Sequence, residues 1–453
     1  METKQSPEVA ASPGEQASPT QETSLVRLAF LTLLAGAVSG LVAALFRLLL
    51  QQAGELRGQL ISLAHGIPLA GFFAVVGVSA TLALVAAWLV RRFSPHAAGS
   101  GIPHVEAVLQ GAISPARPVL GIVKFVGGLL ALGSGLVLGR EGPSVQMGAA
   151  ISYWIARLFG CRWADCRVLL AAGAGAGLAT AFNAPIAGAV FVLEELVQRF
   201  EHRIAVAALG ASASAITVAR LILGNEPDFQ VAAFPQPDIA SWPLFLLLGG
   251  IAGVAAVAYN RSILGALAIA DRSAAWLPVE ARAALIGALI GVTAWFAPGL
   301  VGGGDTITQS ILSGDAALAV MPVIFLLRFA LGAVSYAAGT PGGLFAPLLV
   351  LGTQIGFLFG AACGGIPFVT LPPEAFAVIG MAAFFAGVVR APLTGIVLVA
   401  EMTGSSNLLL PTIFASFAAL LVAALLRDNP IYDALRERTT RLEARIRTIS
   451  GTS

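Results

Sequence analysis

The stretch Leu138-Gly139-Arg140-Glu141-Gly142-Pro143-Ser144-Val145-Gln146-Met147-Gly148 decides how this chain folds. It places Arg140 and Glu141 inside a segment, 125–157, that holds few other charges, and an ionisable residue at membrane depth is costly enough to be a functional candidate. Gly139 and Gly142 allow a tight turn, and Pro143 suits the first turn of a helix because its missing N–H would have had no partner there. The stretch therefore predicts a helix that starts inside the membrane.

A helix that starts in the protein interior makes an anion site from backbone alone. Its free N–H groups and the positive end of its dipole point at one place. Glu141 would lie there, where its carboxylate can occupy the anion position or, once protonated, leave it. One side chain could then link anion occupancy to proton binding. The local residues also allow a simpler interpretation, a glycine-rich re-entrant turn that an Arg140–Glu141 pair stabilises.

The composition indicates an all-α integral membrane protein. Of 453 residues, 57% are hydrophobic and 11% charged, against roughly 25% charged in soluble domains. Only helices or closed barrels satisfy backbone groups in lipid, and the continuous apolar runs lack the alternation of a barrel. The 51 Gly and 25 Pro predict many tilted and broken helices, an arrangement typical of transporters that build sites from helix ends. The net charge of +2 gives no indication of a nucleic-acid partner.

Cysteine and histidine are sparse. Three cysteines do not form a disulfide framework, and four scattered histidines show no metal-ligand spacing. We therefore expect no metal site, no cofactor and no structural disulfide.

The chain ends and the charges between apolar runs predict the topology. Residues 1–24 are rich in Ser, Pro, Glu, Gln and Thr and lack the features of a signal peptide, which indicates a disordered cytoplasmic tail. Arg91 and Arg92 follow the second apolar run, and 436–453 is basic, so both termini are expected in the cytoplasm. A transmembrane transport domain would occupy 25–435, with its first span at about 25–50. The polar linker 225–241 is expected outside.

Two further stretches repeat the glycine-to-proline pattern. One is Gly99-Ser100-Gly101-Ile102-Pro103, and the other runs from Gly339 to Gly343-Leu344-Phe345-Ala346-Pro347. Each predicts another helix that starts inside the protein.

The chain also contains an internal repeat. A shift of 207 lays Asn183–Glu194 on Arg390–Glu401, and a shift of 204 lays Gly139, Pro143 and Gly148 on Gly343, Pro347 and Gly352. We interpret this as a duplicated half, with one repeat at about 25–223 and the other at about 242–435. Breaks at corresponding places in two repeats indicate a binding site between them at the membrane midplane.

These motifs resemble the CLC family of chloride channels and chloride/proton exchangers. The three signatures stand in the expected order, the expected tyrosine stands at Tyr432, and the resemblance covers about Leu25 to Arg438. It implies a CLC-type fold of two inverted-topology repeats and a homodimer with one anion pathway per subunit. The residues after Tyr432 are too few for the family's paired regulatory nucleotide-binding module, as in bacterial members.

The resemblance also implies roles for single residues. Glu141 matches the gating glutamate and Glu195 the internal glutamate that passes protons to the cytoplasm, although the bare residues around Glu195 favour a solvated helix end. Glu194 is a candidate to assist it, while its repeat partner Glu401 is expected to be structural. The anion would be bound by the hydroxyls of Ser100 and Tyr432 and by backbone N–H groups of Gly142, Leu344 and Phe345. Arg140 would orient the turn, and Lys124 would lie near the pathway. The helix starts would be shaped by Gly101, Pro103, Pro143 and Pro347.

The function implied is coupled exchange of chloride for protons across the cell membrane. The chain keeps the serine and the Gly-Arg-Glu-Gly-Pro motif, which favours chloride over fluoride or nitrate. A passive gated chloride channel of the same fold is the alternative. A membrane-embedded hydrolase is a remote one, because we find no nucleophile with a base and no metal cluster. We therefore expect a transporter and not an enzyme.

Overall fold

The computed structural model describes residues 25–367 and 369–450, and the predicted tail 1–24 lies outside them. Seventeen α-helices account for most of the described chain, and its only β-structure is two isolated bridges. The helices are α1 Leu25–Ala64, α2 Pro68–Phe93, α3 Ile102–Leu109, α4 Val119–Gly133, α5 Glu141–Leu158, α6 Trp163–Phe182, α7 Pro185–Phe191, α8 His202–Leu223, α9 Trp242–Ser273, α10 Val279–Phe296, α11 Asp305–Leu312, α12 Met321–Tyr336, α13 Phe345–Cys363, α14 Pro373–Val389, α15 Pro392–Thr403, α16 Leu409–Leu425 and α17 Ile431–Ser450. The prediction of an all-α membrane protein is confirmed.

Helix lengths show how the chain is broken. In the described residues, 8 helices are long and apolar enough to cross a membrane. By contrast, α7 has 7 residues, which at 1.5 Å per residue spans only about 10 Å. The first helix is longer than the predicted span, because α1 runs on through polar helix-forming residues to Ala64.

The predicted repeat is present as two sets of eight helices. In each set the first and last helices pack together, α1 on α8 and α9 on α16, and α2 of the first set packs on α10 of the second. The fifth and sixth helices form matching pairs, α5 with α6 and α13 with α14. The sixth helix of each set ends at a residue with a left-handed φ, Asn183 at 50° and Arg390 at 70°. Helix α17 follows the second set.

Two reciprocal backbone hydrogen bonds between a glycine of each repeat join the two repeats. The backbone N–H of Gly139 donates to the carbonyl of Gly343 at 2.8 Å, and the N–H of Gly343 donates back at 2.7 Å. This bridge is antiparallel, so the two segments run in opposite directions, as inverted repeats require.

Small residues allow the helices around this bridge to approach closely. A Cβ on Gly177 of α6 would lie 2.6 Å from the carbonyl carbon of Ser144 in α5, and a Cβ on Gly352 of α13 would lie 2.6 Å from the carbonyl oxygen of Gly380 in α14. Glycine at such positions lets membrane helices pack backbone to backbone. The centre of the protein is therefore tightly packed and holds the helix starts in fixed positions.

Candidate functional site

The three glycine motifs, which are far apart in the sequence, meet in the structure. The N–H of Gly99 donates to Thr340 O at 2.9 Å, and the N–H of Gly342 donates to Gly99 O at 3.0 Å. With the Gly139–Gly343 bridge, these bonds bring together the N-termini of α3, α5 and α13, and so confirm the three predicted helix starts. Each has its proline, Pro103, Pro143 or Pro347, in the first turn.

Glu141 lies at the centre of this meeting point. Its side chain is fully buried, and Oε1 accepts a hydrogen bond of 2.6 Å from the N–H of Phe345, the first residue of α13. A Cβ on either Gly139 or Gly343 would collide with the carboxylate. The carboxylate thus faces the positive end of another helix, where a negative charge is stabilised. It occupies a position suited to an anion.

Two hydroxyls lie beside this position. Ser100 Oγ and Tyr432 Oη are buried, and neither has a hydrogen-bond partner among the described residues. Gly142 packs against them, since a Cβ there would lie 2.7 Å from Ser100 Oγ. A buried hydroxyl without a partner is costly. An anion that accepts from both hydroxyls fits this arrangement.

Aromatic rings surround the start of α13. The ring of Phe345 lies 4.6 Å from that of Phe385 and 5.8 Å from those of Phe191 and Tyr432. Leu344, at the N-cap of α13, is also fully buried. These apolar groups exclude water, so the N–H groups and hydroxyls act in a low dielectric, where their attraction for an anion is stronger.

Lys124 supports the serine loop, residues 97–101, without touching the Ser100 side chain. It is fully buried, and Nζ donates to Gly99 O at 2.7 Å and to Ala97 O at 3.1 Å. The loop then turns at Gly101, whose φ of 84° is left-handed and suits glycine. Lys124 therefore positions the residues before Ser100.

Tyr336, which the sequence analysis missed, completes the surroundings of Ser100. Its Oη accepts a hydrogen bond of 3.3 Å from the N–H of Ser100. Tyr336 ends α12, three residues before the third glycine motif begins. A tyrosine that closes an apolar run just before that motif is the signal that could have indicated it.

Arg140 is engaged by acidic residues that the sequence analysis did not single out. Its Nη2 lies 3.0 Å from Asp228 Oδ2, its Nη1 lies 3.1 Å from Asp305 Oδ2, and its Nε donates to Ala181 O at 2.9 Å. Arg47 binds the other oxygen of Asp228 at 2.5 Å. Asp228 belongs to the linker 225–241, which thus folds onto the start of α5. Arg140 orients its turn within this ion-pair cluster.

Two cavities approach Glu141 from different sides. The Arg140 cavity, about 310 Å³, is lined by residues that include Gly139, Arg140 and Ala346. The Ser100 cavity, about 770 Å³, is lined by residues that include Ser100, Tyr336 and Arg438. The meeting point of the helix starts lies between them. Glu141 itself lines neither cavity.

Glu195 lies apart from this meeting point, on a single π-helical turn, Val192–Leu196, that follows α7. Such turns are frequent at functional sites. Glu195 is 6% exposed, so it is not the solvated helix end that its neighbours in the sequence suggest. Glu194 faces elsewhere, because Oε2 accepts from the N–H and the hydroxyl of Thr394 at 2.6 and 2.7 Å. The geometry does not support Glu194 as an assisting proton carrier.

Comparisons with known proteins agree with this geometry. Residues 82–424 match the family model described as voltage gated chloride channel. The H(+)/Cl(-) exchange transporter ClcA of Vibrio campbellii is 39% identical over 420 residues, which cover 90% of this chain and 89% of that protein. ClcA of Vibrio cholerae is 40% identical over 424 residues, with 90% and 89% covered.

A solved structure is similar over nearly the whole chain. It is the X-ray structure of a slow cyanobacterial Cl-/H+ antiporter, which is 32% identical, covers 92% of this chain and 98% of its own, and superimposes with a TM-score of 0.88. The fold, the order of the motifs and the family match agree along the same residues. This chain belongs to the voltage-gated chloride channel family, the CLC family.

Proposed function

We propose that this protein exchanges chloride for protons across a cell membrane, with Glu141 as the gate. One observation carries the proposal: the Glu141 carboxylate is bound by the N–H of Phe345, beside the unpartnered hydroxyls of Ser100 and Tyr432. A deprotonated Glu141 and a chloride ion would compete for the same donors. Protonation of Glu141 removes its charge, so it leaves the N–H groups, and chloride takes its place.

The anion site is built from neutral donors. The hydroxyls of Ser100 and Tyr432 and the backbone N–H groups of Gly142, Leu344 and Phe345 would hold chloride without a full positive charge in contact with it. Arg140 is paired with Asp228 and Asp305, and Lys124 donates to carbonyls. Chloride held in this way can leave again, which a transporter requires.

Coupled exchange, and not passive flow, follows from the second buried carboxylate. Glu195 is nearly as buried as Glu141, and it lies on a separate element near Tyr432. Protons would reach Glu141 from the cytoplasm through Glu195 while chloride passes through the Ser100 cavity. A passive channel would not need Glu195. The relatives described above are exchangers by name.

The orientation follows from charge. Arg438 and Arg117 line the Ser100 cavity, so we place that cavity at the cytoplasm and the Arg140 cavity outside. Both termini would then lie in the cytoplasm. The hydrolase alternative has no support, because Ser100 Oγ hydrogen-bonds to no base among the described residues. The protein would therefore work in the membrane as a transporter and not as an enzyme.

We also propose a homodimer with a complete pathway in each subunit. All the site residues named here come from one chain. The short helices α7 and α15 pack on each other and present exposed apolar side chains, Ile186 at 54% and Leu393 at 60%. Helices too short to cross a bilayer are better covered by a second subunit than by lipid. Cross-linking of single cysteines introduced at 186 and 393 in membranes would test this.

Reconstituted flux tests the exchange. In liposomes with a chloride gradient and no proton gradient, we expect chloride movement to drive protons in the opposite direction. Glu141→Ala should abolish proton movement and spare chloride movement, and Glu195→Gln should do the same. The exposed Glu55→Gln serves as the matched control, because it lies on α1 away from the site and should behave as wild type. Chloride flux without any proton flux in the wild-type protein would identify a passive channel.

A further inference from the structure

A polar layer joins the segment that carries Glu195 to the start of α17. Gln198, one turn after Glu195, has a left-handed φ of 56°, which is strained for a residue with a side chain. Its amide donates to Glu106 Oε1 at 3.2 Å. Glu106 lies on α3 and Asp433 on α17. Gln198 thus ties the segment that carries Glu195 to Glu106, and Arg436 in turn joins Glu106 to Asp433.

Arg436 is shared between two carboxylates of this layer. It forms an ion pair with Glu106, which is fully buried, and its Nη2 lies 2.7 Å from Asp433 Oδ1. A fully buried carboxylate needs this positive charge far more than a partly exposed one does. Asp433 is therefore less firmly held as an anion than it would be as the sole partner of Arg436.

Asp433 is more exposed to water than Glu195. Its side chain is 33% exposed, whereas Glu195 is 6% exposed. In the described part of the chain, the carboxylates whose charges act on Glu195 are those of Asp433 and Glu194, but the Glu194 carboxylate points away from Glu195 and is bound to the start of α15. Burial raises the pKa of the Asp433 carboxyl above its ordinary value, so this carboxyl accepts a proton more readily than an exposed aspartate.

We propose that Asp433 is the proton-transfer residue on the cytoplasmic side of Glu195, and this rests on the proposed exchange. A proton from cytoplasmic water binds the Asp433 carboxylate, and that O–H bond breaks as an O–H bond forms on Glu195, directly or through one water molecule. The reverse sequence releases a proton. The groups that face Asp433 are Arg436, Gln198, Glu437 and Glu195. Asp433 directly follows Tyr432, so proton entry and the anion site share the first turn of α17.

A purely structural role for Asp433 is the competing explanation, because an acidic residue in the first turn stabilises a helix. Asp433→Asn separates the two, since it keeps the shape and removes the titratable group. A positioned proton carrier typically contributes 10²–10⁴-fold. Because water can partly replace a carboxylate that is a third exposed, we expect Asp433→Asn to slow coupled proton and chloride flux about tenfold. Asp433→Glu should restore both fluxes.

The decisive measurement uses the Glu141→Ala background, where chloride movement no longer needs protons. There Asp433→Asn should leave chloride flux unchanged, whereas displacement of Tyr432 would lower it. Glu55→Gln, on α1 and exposed, is the charge-matched control and should match wild type. Unchanged coupled flux in Asp433→Asn would overturn the proposal, as would an equal loss of chloride flux in the Glu141→Ala background. Wild-type protein that moves chloride without protons would instead overturn the exchange itself.

Discussion

Glu194 and Glu401, which are repeat partners, each cap the helix that belongs to the other. Glu194 follows α7 and binds the N–H of Thr394 at the start of α15 at 2.6 Å. Glu401, on α15, binds the N–H of Ala187 at the start of α7 at 2.7 Å. Each carboxylate therefore meets the positive end of a helix dipole. The exchange of caps ties the two repeats together and leaves Glu195 free to face α17.

This relation predicts that both glutamates contribute to stability and not to proton coupling. Glu194→Ala and Glu401→Ala should each lower the free energy of unfolding by about 1–2 kcal/mol, because each removes a helix cap. Thermal unfolding of purified protein measures the effect. The proton-to-chloride ratio should stay as in wild type, unlike that of Glu195→Gln. Loss of coupling in Glu194→Ala without loss of stability would contradict this assignment.

Asp228 and Asp305 both pair with Arg140 but should differ in importance. The side chain of Asp228 is 3% exposed and also pairs with Arg47, whereas that of Asp305 is 52% exposed. Removing one partner of a buried pair costs roughly 3–5 kcal/mol, and an exposed pair contributes roughly 0–1 kcal/mol. Asp228→Asn should therefore destabilise the protein strongly and Asp305→Asn weakly. Equal shifts in thermal unfolding would refute this ranking.

The hydroxyls of Ser100 and Tyr432 should each strengthen chloride binding modestly. A neutral hydrogen bond contributes about 0.5–1.5 kcal/mol, so Ser100→Ala and Tyr432→Phe should each weaken binding by about two- to tenfold. Titration calorimetry with chloride measures the change. Tyr153→Phe, on α5 away from the site, is the matched control. An unchanged chloride affinity in both variants would place the anion elsewhere.

Tyr336→Phe tests the hydrogen bond behind Ser100. The change removes the acceptor of a buried N–H, which costs about 1–3 kcal/mol when the group stays unpaired. We expect lower thermal stability together with weaker chloride binding, because the serine loop loses one of its supports. If stability falls while chloride affinity is unaltered, Tyr336 contributes to the fold and not to chloride binding.

Gly343→Ala should displace the gate. The φ of Gly343 is not left-handed, but an added Cβ would lie 2.7 Å from Glu141 Cδ. The carboxylate must then leave the Phe345 N–H, so proton coupling should fall. Gly265→Ala is the control, because a Cβ there meets no atom within 4 Å. If Gly343→Ala folds poorly, addition of Glu141→Ala should improve its folding only in part, because the added Cβ would still lie 2.8 Å from the backbone N of Gly142. Proton coupling in Gly343→Ala that equals wild type would argue against the displacement.

The sequence predicts those features of the fold that depend on residues close together in the chain or on the internal repeat. Glycine and proline within a few residues placed the starts of α3, α5 and α13, and the shift of 207 identified Glu194 and Glu401 as partners. Asp228 and Asp305 were missed because they reach the site from distant segments and no local pattern marks them, whereas Tyr336 was missed although it stands three residues before the third glycine motif. The burial of Glu195 was likewise hidden, since its neighbours Glu194 and Arg199 suggest a solvated end. It results from the packing of α3, α6 and α8 against the turn that carries Glu195, which no local sequence pattern shows.

The paired backbone bonds between Gly139 and Gly343 also bear on how the protein is made. During synthesis the first repeat leaves the ribosome and enters the bilayer long before position 343 is translated. Until then Glu141 has no Phe345 N–H to bind, and the gate cannot assemble. A chain that stops after the first repeat should therefore be inert. The two repeats, produced as separate polypeptides in one cell, contain between them every group needed to assemble the gate.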